Sequence, residues 1–146
     1  MDPPWKIRMN LRYPLLTMTE TFNIPFNLLQ ERGFVMIWVL ADNEEKVVQK
    51  MLSKGYRKYG KIIWLKSTEK RIPVNFIGKL QRHSTETMII FSKGDLSGIA
   101  KYHSMNDVLI APFRGQSVKP VEIYPAIRTL VPQGHFLEIL ARCNNI

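Results

Sequence analysis

The sequence holds a single cysteine, Cys143, among 146 residues. An internal disulfide is excluded, and such sparing use fits a reducing compartment. Histidine is scarce too. His83, His103 and His135 stand apart without the Cys or His spacing of a zinc site, so no metal is expected. The longest apolar run, Phe34 to Ala41, is far too short for a bilayer-spanning helix. The start lacks the basic-then-apolar layout of a signal peptide, so neither a membrane nor secretion is expected. G-x-G-x-x-G, G-x-x-x-x-G-K-S/T and G-x-S-x-G are all missing, and no Ser/His/Asp set stands out. Dinucleotide, P-loop and serine-hydrolase readings fail with them.

Carboxylates are also in deficit: 12 Asp plus Glu face 21 Lys plus Arg, a net charge of +9. The excess is uneven. Lys54, Arg57, Lys58, Lys61, Lys66, Lys70, Arg71, Lys79 and Arg82 are opposed between residues 54 and 82 only by Glu69, and Lys6, Arg8 and Arg12 form a second group. Any one lysine can merely solvate a surface. Clustered cations raise the local potential and favour phosphate backbones through counterion release, so nucleic acid is the expected partner.

What is present suits one folded domain over residues 1–146: 45% of residues are apolar, too many for a disordered chain. "GFVMIWVLA" reads as a buried strand entered through Gly33, and "NEEKVVQKMLSKG" as a helix capped by Asp42 or Asn43 and ended by Gly55. "YRKYGKIIWLKS", "ETMIIFSKG", "DVLIAPF" and "HFLEILA" read as further strands, and Thr68 to Ser84 as a long loop. "KPVEIYPAIRTL" reads as a helix, with Pro120 near its first turn and Pro125 placed to kink it. Strand–helix–strand order with continuous apolar strands predicts an α/β sheet, mostly parallel, with helices on both faces.

The opening "MDPPW" is either a stiff holder for a flat polar group or a frayed end. Two prolines fix φ near about −65° and remove two amide donors. In open α/β sheets ligands sit beyond the carboxyl ends of the strands. Asp2 to Trp5, "RGQSVKP" and "EILARCNN" would fall there. Glu138, a carboxylate within an apolar stretch, would either pair with an Arg or face a ligand together with Arg142 and Asn144.

In order along the chain, D-P-P-W, "RYPLLTM", "GFVMIWVL", "GYRKYGKIIWLK", "IIFSKG", "SVKPVEIYPAIRTLVP" and "FLEILARCNN" resemble the MT-A70 family of adenine-N6 methyltransferases. The family includes mRNA enzymes and ciliate DNA enzymes. The resemblance covers almost the whole chain and implies a Rossmann-like class I methyltransferase fold using S-adenosylmethionine. It implies that Asp2 and the Pro3 carbonyl accept hydrogen bonds from the target amine, that Pro4 stiffens the turn, and that Trp5 and Tyr13 pack on the adenine. Lys6, Arg8, Lys70, Arg71 and Arg82 would hold the nucleic acid. Asp2, His83, Ser84, Ser117, Lys119, Glu138, Arg142, Asn144 and Asn145 would surround the cofactor.

This sequence departs from the family pattern at Thr85, where the mRNA enzymes carry a lysine, and at Ala141, Cys143 and Asn144. The family also has an apolar strand before D-P-P-W and a further segment after the last strand, so the domain is expected to be incomplete at both ends. Two functions fit. One is a methyltransferase acting on RNA or DNA, paired with a catalytically degenerate paralogue and, by resemblance, nuclear. The other is a non-catalytic subunit of the same fold that binds nucleic acid or a partner. A small basic barrel fits poorly, because the helix after Asn43 is well specified.

Overall fold

The structure, a computed structural model, describes residues 1–6, 14–70, 72–77 and 82–140. Its first helices are short: α1 (Met18–Phe22) and α2 (Phe26–Leu29). Neither has the length to show a period, but α1 carries a start signal. The Thr17 hydroxyl accepts from the Glu20 amide at 3.2 Å while the Glu20 carboxylate accepts from the Thr17 amide at 2.7 Å, a reciprocal capping box.

Next come β1 (Gly33–Val39), a 3-10 turn (Ala41–Asn43), α3 (Glu44–Ser53) and β2 (Arg57–Ser67). The stretch from Thr68 to Ser84 is less irregular than its composition implies. It contains β3 (Phe76–Ile77) paired with β4 (Arg82–His83). β5 (Thr85–Lys93), β6 (Val108–Pro112) and α4 (Ile123–Leu130) complete the order.

The main sheet runs β1-β5-β2-β6. Both pairings of β5 are antiparallel and only β2 with β6 is parallel, so a mostly parallel sheet is not what forms. The physical reason is specific. The β1–α3–β2 crossover sets β1 and β2 in the same direction but leaves a gap between them. The chain then turns back through residues 68–84, and β5 fills that gap running the opposite way. β1, β2 and β6 therefore still share one direction, and their carboxyl ends lie on one edge.

Helices cover both faces, as expected. Along β1, Ile37 and Val39 join Phe22, Phe26, Val47 and Met51 beneath α1 to α3, whereas Met36 and Trp38 join Trp64, Ile90, Ile123 and Leu130 beneath α4. Burial on both faces is what makes these strands continuously apolar.

Two further expectations need correction. The "HFLEILA" stretch forms no strand over its described residues, 135–140. Its backbone is irregular, Leu140 has φ 61° and Leu137 is 77% exposed. An apolar stretch becomes a strand only where a sheet edge pairs with it. Pro125 does not kink α4 either. It is the third residue of the helix, where the missing amide has no intrahelical acceptor to lose. Among the described residues no helix is long and apolar enough to cross a membrane.

Candidate active site

Met1 lies beside β1 in parallel register, its amino group donating to the Met36 carbonyl at 2.9 Å and its carbonyl accepting from the Trp38 amide at 3.1 Å. The chain is thereby directed toward the carboxyl end of β1, where Asp2 to Trp5 form a tight turn. The Trp5 amide donates back to the Pro3 carbonyl at 2.8 Å across Pro4. A bridge to Leu16 closes the turn from outside. The Leu16 amide donates to the Pro4 carbonyl at 2.8 Å and the Lys6 amide to the Leu16 carbonyl at 2.9 Å. From inside, Trp5 anchors it. Its indole N–H donates to the Trp38 carbonyl at 2.9 Å and its ring meets Phe22 at 6.5 Å, leaving the residue 7% exposed.

Asp2 opens onto a chain of charges. Lys119 Nζ lies 3.3 Å from Asp2 Oδ1 and 2.6 Å from Glu86 Oε2, and Lys66 Nζ lies 2.8 Å from Glu86 Oε1. Lys119 also stands 5.4 Å over the Trp38 ring. Glu86 is at the start of β5, Lys66 near the end of β2, and Lys119 in the loop between β6 and α4. Burial pushes the Glu86 carboxyl up. Lys119 and then Lys66 outweigh it, so Glu86 stays below the ordinary carboxylate value and remains a charged brace between two cations.

The β6–α4 loop is stapled at its ends by Arg114, whose Nη1 and Nη2 donate to Glu122 at 2.9 and 2.6 Å. Within it, half-buried Ser117 takes the left-handed conformation at φ 61°. Beyond α4, exposed Glu138 accepts the Tyr124 hydroxyl at 3.1 and 3.0 Å through its two oxygens. Burial raises the Tyr124 phenol, and the Glu138 and Asp2 carboxylates raise it further. Tyr124 is thus bound to Glu138, with the Asp2 charge a lesser influence on its phenol.

A family model described as MT-A70 matches residues 1–145. The chain belongs to the MT-A70 family. The N(6)-adenosine-methyltransferase catalytic subunit METTL3 of Homo sapiens is 32% identical over 147 residues, covering 99% of this chain and 25% of the relative. The probable N(6)-adenosine-methyltransferase MT-A70-like of Oryza sativa subsp. japonica is 32% identical over 148 residues, covering 99% of this chain and 20% of the relative. The MT-A70-like protein of Drosophila melanogaster is 29% identical over 147 residues, with 99% and 24% covered. The chain spans about a quarter of the length of the curated relatives it matches.

In this MT-A70 chain the fold gathers Asp2, Pro3, Pro4, Lys119 and Glu138 at the shared carboxyl edge. Trp5 lies beneath the turn rather than beside an open face, because its N–H is used on Trp38 and its ring on Phe22. His83 ends β4, exposed, and Ser84 follows, its carbonyl accepting from the Lys66 amide at 2.8 Å. Lys6 and Lys70 are exposed. Arg82 lies in β4, its side chain outside the description, and Arg8, Tyr13, Arg71, Arg142, Asn144 and Asn145 are outside the described residues altogether.

Sequence reasoning counted Lys66 only in the basic run and gave no site role to Glu86 or Tyr124. One signal for Glu86 was available: it is the next carboxylate after the basic run that ends at Arg82. A shallow cavity of about 200 Å³ lined by Ile62, Met105, Leu109 and Ala126 holds none of the expected residues and no titratable group.

S-adenosylmethionine carries a ribose diol, a sulfonium, and an amino-acid end with both charges. The donor set at this edge fits it. Exposed Glu138, already bound through both oxygens to one hydroxyl, has the form that accepts a diol. Lys119 offers a cation beside the carboxylates.

Proposed function

We propose that the chain is a single domain of an S-adenosylmethionine-dependent adenine-N6 methyltransferase acting on RNA or DNA in the nucleus, as the catalytic subunit of a heteromeric complex. The observation that carries this reading is the clamped Asp2–Trp5 turn, with Asp2 held against Lys119 at the strand ends near Glu138. When bound, S-adenosylmethionine supplies an electrophilic methyl group on its sulfonium. The exocyclic amine of adenine is a poor nucleophile because its lone pair is delocalised into the ring. Two fixed acceptors draw its hydrogens out of conjugation as the nitrogen pyramidalises, an interaction strongest in the transition state.

Asp2 is the first acceptor. The Pro3 carbonyl, which already accepts from the Trp5 amide at 2.8 Å, would be the second through its other lone pair. Trp5 serves as the anchor that holds both in place, and Tyr13 is left as the residue to stack on the base. His83, Ser84, Ser117, Lys119, Glu138, Arg142, Asn144 and Asn145 would bind the cofactor. Lys6, Arg8, Lys70, Arg71 and Arg82 would bind phosphates. A partner subunit is supported by large apolar side chains left exposed, Val108 and Ile110 on β6 and Phe136 and Leu137 beyond α4.

The test is titration with S-adenosylmethionine followed by methyl transfer to a single-stranded, adenine-containing oligonucleotide. Single strands avoid the few kcal/mol needed to extrude a base from a duplex. Binding and transfer are expected, with transfer abolished and nucleic-acid affinity nearly unchanged in Asp2→Ala. Oligonucleotide binding without any affinity for S-adenosylmethionine would instead establish the non-catalytic subunit.

A further inference from the structure

Lys66 is a costly residue in its position. Its side chain is 11% exposed, and its ammonium stands 5.5, 5.1 and 5.6 Å from the ring centroids of Trp64, Phe76 and Phe113. An apolar side chain would fill the same space among three rings without desolvating a charge. What the charge adds is a grip in two directions. Toward the site, it holds Glu86, which holds Lys119 against Asp2. Away from the site, it grips Phe76 in β3, itself packed edge-on to Phe113 at 4.6 Å. The backbone of the same residue repeats the pattern: its carbonyl accepts from Val74 at 2.9 Å and its amide donates to Ser84 at 2.8 Å. Segment 68–84 therefore returns to this one residue through Val74, Phe76 and Ser84.

We propose that Lys66 is a positioning residue that ties the basic segment 68–84 to the Asp2–Trp5 turn, through Glu86 and Lys119 on one side and the Phe76 ring on the other. The proposal rests on the methyltransferase reading for its consequence, because Lys70, Arg71 and Arg82 of that segment are the expected phosphate contacts. Nucleic acid seated on the segment would then fix the acceptor turn through one buried cation, so that substrate binding and alignment of Asp2 are linked.

The experiment uses the full chain with Lys66→Met, which keeps the packing among the rings, and Lys66→Arg, which keeps a cation there. Hydrogen exchange is read first, without nucleic acid. In Lys66→Met the Trp5 and Leu16 amides are expected to exchange several-fold faster along with Val74, and Lys66→Arg is expected to restore both. Faster exchange at Val74 with Trp5 and Leu16 unchanged would overturn the proposal, since Lys66 would then serve the segment alone. Methyl transfer is read second. Misplacing an acceptor should lower kcat about tenfold in Lys66→Met, and Lys66→Arg should restore it. If exchange moves as expected but the wild-type chain transfers no methyl groups, the methyltransferase reading falls and the link stands.

Discussion

Glu86 is the residue on which opposing electrostatic effects converge. Burial alone would raise its carboxyl, and the paired lysines hold it down instead. Because its folded value lies below the ordinary 4.5, the stability it contributes is complete above that pH and is lost as the pH falls through the lower folded value. Unfolding by urea across an acid pH series should show this loss, and Glu86→Gln should flatten it. At neutral pH the same substitution should cost about 1–3 kcal/mol, since two ammonium groups lose a charged partner. Trp5→Phe keeps most of the ring packing but leaves the Trp38 carbonyl without its indole donor. A loss of about 1–2 kcal/mol is expected in the same assay, with methyl transfer falling as the turn loosens. Asp2, Lys119 and Glu138 could be proposed from the sequence because a motif surrounds each of them. Glu86 and Lys66 could not, since what makes them matter is the tertiary meeting of their side chains with Lys119 of the β6–α4 loop, which no local pattern encodes.

Among the elements, apolar periodicity gave β1, α3, β2, β5 and β6 close to their observed bounds, because each buries side chains on regular faces. Pairing was harder to read. A continuous apolar run predicts burial on both faces, and parallel neighbours are only the commonest way to obtain it. Here an antiparallel strand occupies the centre and is buried equally well. The turn after β5 gives a sharp prediction. Gly94 has φ 70°, and a Cβ there would lie 2.7 Å from both the Glu31 carbonyl oxygen and the Arg32 Cβ. Gly94→Ala therefore meets backbone strain of about 1–2 kcal/mol as well as a clash. It should destabilise the protein by more than that in thermal unfolding. Thr17→Ala, which removes one half of the α1 capping box, should cost about 1 kcal/mol in the same measurement.

Across the whole molecule the charge of +9 is expected to govern how nucleic acid is held. Affinity for a single strand should fall with salt, and Lys70→Ala, at an exposed position just beyond β2, should reduce the log–log salt slope by roughly one contact. The placement of β5 has another consequence, for the order in which the chain can fold. Gly33 is paired with Lys93, and Arg57 with Ser92, so neither β1 nor β2 completes its pairing with its central neighbour until the last residues of β5 have been made. During synthesis two apolar strands wait with incompletely paired edges while more than 25 further residues, including four of the nine of the basic cluster, emerge after β2. That cluster would keep the waiting chain charged and apart from its copies, so the lysines and arginines proposed to hold phosphate would also protect the nascent sheet from aggregation.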